Sequence, residues 1–283
     1  MYYKTMRFAV QGNVVLITGS TDGIGKLVAM EMAKMNATVI IHGRDEKRGK
    51  QVLSEIKKTT GNDRLDFALA DLSSQSQIVR LADHVCRTYH RLDILINNAG
   101  VFRKKKYLTE DGYELTFAVN HLAPFLLTGL LLDLLMDSSI GRIVNVSSMT
   151  HASTIDFENL HGEKSFSGTE AYALSKLCNL LFTYELADKL KGNSTTVNAL
   201  HPGVIDTKLL REGWGGIGNP IEEGADNVLY LANDKSLEKV TGKYFVHKKE
   251  SNSSEISYSP EARKRLWEES ERMTGFDYES IVE

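Results

Sequence analysis

The chain predicts an α/β fold, a doubly wound parallel sheet of about seven strands with helices on both faces. Short β-branched runs alternate with long amphipathic segments, the pattern of strands joined by helical crossovers. Several of the runs, "TVII" at 38–41 among them, are apolar throughout rather than alternating, as expected of strands covered on both sides. A glycine-rich turn follows the first run and opens directly into a helical pattern.

Taken in order, strands are expected at 14–18, 38–42, 64–69, 94–97, 142–146, 195–200 and 244–246. Helical patterns lie between them, notably at 25–35 and 112–136. Residues 203–220 are glycine-rich and irregular, a loop with one short helix. "EARKRLWEES" reads as an amphipathic helix in a C-terminal tail near 260–275. With four prolines, no repeat and no break in composition, all 283 residues are expected to form one domain.

Composition narrows the function. At 42% hydrophobic the chain can bury a sizeable core, and a net charge of −3 lacks the basic excess of a nucleic-acid binder. The basic run at 103–106 is short and reads as a solvated loop, with a phosphate or membrane patch as the alternative. Cys86 and Cys178 have no metal-type spacing; both fall in helical apolar patterns and are expected to be reduced core residues. No metal site is expected. "MYYKTMRFAVQG" at the N-terminus lacks a long apolar run, and the apolar stretch 122–136 is too short to span a bilayer. The expected location is cytoplasmic.

The turn after the first strand is "TGSTDGIGK", with Gly19, Ser20, Thr21, Asp22, Gly23, Ile24 and Gly25. Glycine allows a tight turn and close approach of backbone to a pyrophosphate, and a helix beginning near Gly23 would point its N–H groups at that anion. A turn that needs glycine for geometry alone is the competing reading. The second strand ends "TVIIHGRDEKRG". Where an NAD site would carry an acid for the ribose hydroxyls, this chain has Arg44, followed by Lys47 and Arg48. A guanidinium suits a 2′-phosphate, so NADP(H) is favoured over NAD(H). Asp45 reads as a helix N-cap. The charge of Asp22, close to where the phosphate should lie, argues the other way.

Tyr172 and Lys176 stand four apart on one face of the otherwise apolar "AYALSKLCNL". An ammonium beside a phenol favours the phenolate and would make the pair an acid–base for an alcohol proton. A core tyrosine beside a lysine snorkelling to solvent gives the same spacing. Ser147 and Ser148 follow a buried strand in "GRIVNVSSMT", where ligands sit in parallel sheets. Either could polarise a carbonyl or cap the next element. Asn120 lies in the apolar "AVNHLAPF" and must bond to backbone or hold water. "INNAG" closes the fourth strand with amides and a glycine suited to packing against a cofactor.

In order along the chain, "TGSTDGIG", Asp71-Leu72, "NNAG", Asn120, Ser148, "YALSK" and "HPG" resemble the short-chain dehydrogenase/reductase family, and "AYALSKLCNLLFTYELADKL" and "LWEES" resemble its retinol-dehydrogenase-like branch. The resemblance implies a Rossmann-type fold and a catalytic set of Asn120, Ser148, Tyr172 and Lys176. It makes Tyr172 the acid–base and Ser148 the ligand of the substrate oxygen. Lys176 would depress the phenol pKa and bond the nicotinamide ribose, and Asn120 would hold a relay water. It also implies cofactor contacts from Asp71 and Leu72 beside the adenine, Asn98, Ala99 and Gly100 along the dinucleotide, and Pro202, Gly203 and Thr207 at the nicotinamide end.

The expected function is NADP(H)-dependent hydride transfer between nicotinamide and an alcohol, aldehyde or ketone. Phe157, Phe166, Leu209, Leu210 and Trp214 suggest an apolar substrate pocket or equally ordinary packing. A cofactor-binding sensor without turnover is the alternative, though such a protein has no need of Tyr172, Lys176 and Ser148 together. A lyase or epimerase would need further acid–base groups beyond His201. Apolar faces at Phe125, Leu126, Leu130 and Leu134, and at Leu177, Leu180, Leu181 and Phe182, together with the resemblance, point to a homodimer or homotetramer.

Overall fold

The computed structural model describes residues 11–279; the N-terminal stretch 1–10 lies outside the described residues. The strands are β1 (Val14–Ile17), β2 (Thr38–Gly43), β3 (Leu65–Leu69), β4 (Ile94–Asn97), β5 (Arg142–Val146), β6 (Thr196–His201), β7 (Lys243–Val246) and β8 (Lys249–Glu250). They form one sheet in the order β3-β2-β1-β4-β5-β6-β7-β8. The first seven are parallel; β8 returns antiparallel on β7. The expected strands are present, and β8 is added. Its two exposed residues carry no apolar signal, because it completes a hairpin at the sheet edge.

Helices α1 (Gly23–Lys34), α2 (Glu46–Thr60) and α9 (Ile221–Asn233) supply one face, and α3 (Gln75–Thr88) and α7 (Gly168–Lys189) the other. Alternate residues of β1 feed opposite cores: Leu16 packs toward α3 and α7, Val15 and Ile17 toward α1 and α9. The strand order reverses between β1 and β4, which opens a crevice at the carboxyl ends of the strands.

The segment expected as one helix at 112–136 is four pieces: α4 (Leu115–Phe117), a π-helical turn (Ala118–Leu122), α5 (Ala123–Leu130) and α6 (Leu132–Met136). Pro124 enters in the first turn of α5, directly behind the π-helical turn, where the helical ladder is already widened. The short α8 (Lys208–Gly213) sits in the glycine-rich loop, and α10 (Pro260–Thr274) is the expected terminal helix.

That terminal helix covers the faces that suggested self-association. Trp267 packs against Phe125 (ring centroids 5.1 Å apart) and Phe182 (5.9 Å), and Tyr278 follows, 4.9 Å from Phe125 with its hydroxyl donating to the Phe125 carbonyl at 2.6 Å. Leu266 and Met273 join Leu177 and Leu181. The apolar surface of α5 and α7 is thus covered within the chain. Of the two cysteines, Cys178 is buried as expected, whereas Cys86 is exposed. Cys86 stands beside Val85 on α3, and only Val85 falls on the buried stripe.

Candidate active site

The crevice is a cavity of about 870 Å³. Gly19, Thr21, Asp22, Gly23, Ile24, Gly25, Arg44, Asp71, Leu72, Asn98, Ala99, Gly100, Ser148, Tyr172, Lys176, Pro202, Gly203 and Thr207 all line it. Residues from six strand ends, scattered over almost two hundred positions, thereby share one wall.

The glycine loop is shaped by close approach. Gly19 has φ of 64°, and a Cβ there would meet Ala99 Cα at 3.0 Å. At Gly25 a Cβ would meet the Gly19 carbonyl oxygen at 2.6 Å. Only glycine lets the β1–α1 turn nest against the end of β4. Asn98 ties the two together, its Nδ2 donating to the Thr18 carbonyl at 2.8 Å, while Thr18 Oγ1 accepts from the N–H groups of Asn98 and Ala99 at 2.9 and 3.0 Å. Asp22 caps α1 through the Gly23 N–H at 2.9 Å, leaving first-turn donors at the helix N-terminus for an anion.

Ser20 lies outside the cavity. It is buried, donating to the Ile17 carbonyl at 2.8 Å and accepting from the His42 N–H at 2.9 Å. His42 is a site residue that the strand pattern hid. Its Nδ1 accepts from the Gly19 N–H at 3.1 Å, and its Nε2 reaches the Ala70 carbonyl at 3.1 Å. Burial drives its pKa down to about 4, so a neutral imidazole braces the glycine turn.

Arg44 is exposed at the end of β2 and makes no ion pair with another described residue. Arg48 lines the same wall and pairs with Asp22 at 2.7 Å; Lys208 reaches Asp22 from α8 at 3.0 Å. These two cations answer the negative charge that spoke against a phosphate here, and hold the Asp22 carboxyl below its ordinary value even though partial burial raises it. Asp45 caps α2 as expected, accepting from the Arg48 N–H at 3.0 Å. An uncompensated guanidinium beside orphan helix N–H groups fits a phosphorylated dinucleotide.

At the other end, Tyr172 and Lys176 come from α7 and Ser148 from the end of β5. Ser148 and Tyr172 line the same wall of the cavity. Lys176 Nζ stands 5.6 Å from the Tyr172 ring centre and donates to the Val146 carbonyl at 2.8 Å. Ser147 is the structural member of the serine pair, its hydroxyl donating to the Lys176 carbonyl at 2.8 Å.

The expected depression of the phenol pKa is not found in the protein alone. Burial pushes Tyr172 up to about 12, against a lowering influence of the nearby Ser148 side chain, and pushes Lys176 down to about 8. Desolvation outweighs the attraction of an ammonium that lies over the ring rather than at the hydroxyl.

Asn120 also lies behind the cavity wall. On the π-helical turn its Oδ1 accepts from the Val101 N–H at 2.8 Å, while Nδ2 donates to the Val101 carbonyl at 3.0 Å and to Ser175 Oγ at 3.0 Å. Its side chain thus bonds to backbone, one of the two outcomes open to a buried amide, and sets the loop after β4. Asn97 does not face the cleft; it donates to Asn145 at 2.9 Å and Thr128 at 3.1 Å, in a buried network that fixes β4 to β5.

The substrate end is aromatic and apolar. Leu209, Leu210 and Trp214 line it as expected, with Phe102 added. Trp214 and Phe102 stand 5.1 and 6.1 Å from the Tyr172 ring and 5.1 Å from each other. Phe157 and Phe166 do not reach the cavity: Phe157 packs under the guanidinium of Arg265, and Phe166 lies against Gly162.

A crevice at the strand-order reversal, a glycine turn at a helix N-terminus and a Ser–Tyr–Lys cluster beside it define a dinucleotide-dependent oxidoreductase. The short chain dehydrogenase profile matches residues 13–214, and the chain belongs to that family, in its retinol-dehydrogenase-like branch, whose members act on CH–OH groups. It is 40% identical to retinol dehydrogenase 13 of Mus musculus, across 94% of this chain and 85% of that one. It is 37% identical to the polyprenol dehydrogenase of Homo sapiens, across 93% and 85%. Among solved structures, an uncharacterized protein from Mycobacterium paratuberculosis superposes with a TM-score of 0.78 at 30% identity, each chain covered to 95%. A short chain dehydrogenase from Shigella flexneri 2a, complexed with NADP, gives 0.69 at 28% identity, covering 85% of this chain and 99% of that one. Among the described residues no helix is long and apolar enough to cross a membrane, and no cluster could hold a metal ion.

Proposed function

We propose that the protein interconverts an apolar alcohol and its aldehyde or ketone using NADP(H). The observation that carries this reading is Arg44, which forms no ion pair with another described residue, in the same cleft as Ser148, Tyr172 and Lys176. Arg44 and Arg48 would hold the 2′-phosphate, Asp71 and Leu72 the adenine, and the α1 N-terminus the pyrophosphate. Asn98, Ala99, Gly100, Pro202, Gly203 and Thr207 would line the rest of the dinucleotide. The Shigella relative bound to NADP supports the same choice.

Bound, the cofactor supplies the hydride. Ser148 holds the substrate oxygen by a hydrogen bond, and Tyr172 moves the proton at that oxygen. Lys176, its amine steered by the Val146 carbonyl, would bond the ribose. Asn120 keeps the loop after β4 in place. Phe102, Trp214, Leu209 and Leu210 exclude water and accept an apolar substrate body.

The test is a titration of NADPH and NADH into wild type and Arg44→Asp. The substitution should weaken NADPH by roughly 1.5–3 kcal/mol, about ten- to a hundredfold, and leave NADH nearly unchanged. Equal losses for both cofactors, or a wild-type preference for NADH, would overturn the assignment.

A further inference from the structure

The peptide bond between Ser148 and Met149 is gripped from two sides. Its carbonyl, that of Ser148, lies 2.7 Å from His151 Nδ1. Its N–H, that of Met149, donates to His201 Nδ1 at 3.2 Å. The two imidazoles come from separate parts of the chain, one from the loop just after β5 and one from the last residue of β6.

The partners fix the proton on each ring. The backbone N–H of Ser254 donates to His151 Nε2 at 3.1 Å. That nitrogen must therefore be the acceptor, so Nδ1 carries the hydrogen and donates to the Ser148 carbonyl. In His201, Nδ1 is the acceptor, which puts the proton on Nε2. The arrangement needs one neutral ring donating and one neutral ring accepting, each opposite the matching half of a single amide. Burial supports the neutral form of His201, whose pKa is pushed down to about 4.

The rest of the loop is anchored around the same point. The Ala152 N–H donates to the Ala173 carbonyl of α7 at 3.0 Å, and the Ser254 hydroxyl donates to the Ala152 carbonyl at 2.8 Å. The His151 ring stands edge-on to Tyr244, with centroids 5.7 Å apart. Thr150 N–H donates to Ser148 Oγ at 3.0 Å, which ties the hydroxyl to the loop that the imidazoles hold.

We infer that His151 and His201 are positioning residues for Ser148: by clamping both polar groups of the Ser148–Met149 peptide they set the direction of the hydroxyl that receives the substrate oxygen. Neither acts on substrate. Through His151 and Ser254 the segment between β8 and α10 becomes part of the support of the active site. The inference rests on the reading of Ser148 given above. A hydroxyl displaced by a fraction of an ångström loses its alignment with the reacting oxygen, and such misplacements lower turnover without removing any reacting group.

The experiment compares His151→Phe, His151→Asn and Ser148→Ala with wild type, measuring turnover of an aldehyde the wild type reduces and NADPH affinity by nucleotide fluorescence. Phenylalanine keeps the ring against Tyr244 and deletes both hydrogen bonds; asparagine restores a donor where Nδ1 stood. His151→Phe should lower kcat about ten- to a hundredfold with NADPH affinity within about twofold, and His151→Asn should recover most of the loss. Added to Ser148→Ala, His151→Phe should cost little more, because it acts through that hydroxyl. A collapse in Ser148→Ala beside near wild-type turnover in His151→Phe would overturn the inference alone. So would equal damage in the Asn and Phe variants together with lost NADPH affinity. Retained turnover in Ser148→Ala would overturn the serine assignment and the inference with it.

Discussion

Replacing Lys176 by methionine should make the protein more stable and inactive at once. The amine is almost fully buried and its pKa falls from an ordinary 10.5 to about 8, with burial the cause. A tenfold change in that equilibrium is worth about 1.4 kcal/mol, so carrying the charge into the fold at pH 7 costs roughly 3 kcal/mol relative to the unfolded chain. Methionine removes that cost at similar length, but leaves the Val146 carbonyl without its 2.8 Å donor, a loss of about 1 kcal/mol. The balance is a gain of about 2 kcal/mol, or roughly 3–4 °C in a chain of this size. The pH dependence follows from the direction of the shift. Below pH 8 the folded wild type holds a buried charge and the variant has its full advantage. Between pH 8 and 10.5 the folded amine is neutral while the unfolded one is still charged, so the wild type gains and the gap closes. Thermal melts of both proteins from pH 6.5 to 10, beside a turnover assay, read both effects. A variant that melts below wild type at pH 7, or a gap that persists at pH 10, would refute the argument.

Tyr172→Phe keeps the ring among Phe102 and Trp214 and removes only the hydroxyl; turnover should fall about 10²- to 10⁴-fold with NADPH affinity unchanged, and near wild-type turnover would dismiss the phenol from the chemistry. His42 and His201, with pKa values pushed to about 4, and His121, pushed to about 3, are neutral in the fold but protonate near 6.5 once unfolded. Stability should therefore decline as pH falls from 6.5 to 4, by roughly 3 kcal/mol for each imidazole, and a urea midpoint that stays flat from pH 6.5 to 4.5 would contradict this. Trp267→Ala should cost about 3–5 kcal/mol and uncover the outer faces of α5 and α7. Increased light scattering relative to wild type is the expected sign, and an unchanged melt and particle size would show that α10 does not guard those faces.

The sequence and the structure agree where a periodic signal was strong. The seven parallel strands were legible because short, mostly apolar runs alternate with helical patterns, as strands covered on both sides do, and α7 was legible because Tyr172 and Lys176 stand at helical spacing in a largely apolar run. The cleft residues at strand ends were legible because fold topology brings such ends together. The roles of His42, His151 and His201 were not. A single imidazole has no period, and its function lies in carbonyls and N–H groups that become neighbours only after folding. For Phe157 and Phe166 the sequence left pocket and packing both open, because an aromatic residue in a loop looks the same whether it faces a ligand or a neighbouring helix; the structure puts both in packing. The apolar faces of α5 and α7 were correctly seen to need cover; that the cover is the chain's own tail follows from Trp267 and Tyr278, whose shared partner Phe125 lies some 140 residues and more away.

The π-helical turn at Ala118–Leu122 makes the length of this segment as constrained as its composition. Such a turn holds one residue more than an α-helix would, so the chain spends an extra position there to bring Asn120 against Val101 while keeping Phe125 under Trp267. Deleting one residue would restore ordinary winding and leave the downstream helix close to its present phase, because the wide turn is what absorbs the extra residue. Phe125 would keep its place under the terminal helix, while the side chains of the turn itself, Asn120 among them, would be re-aimed relative to the loop beside the cleft. Related chains should therefore tolerate substitution in this stretch far more readily than a change in its length.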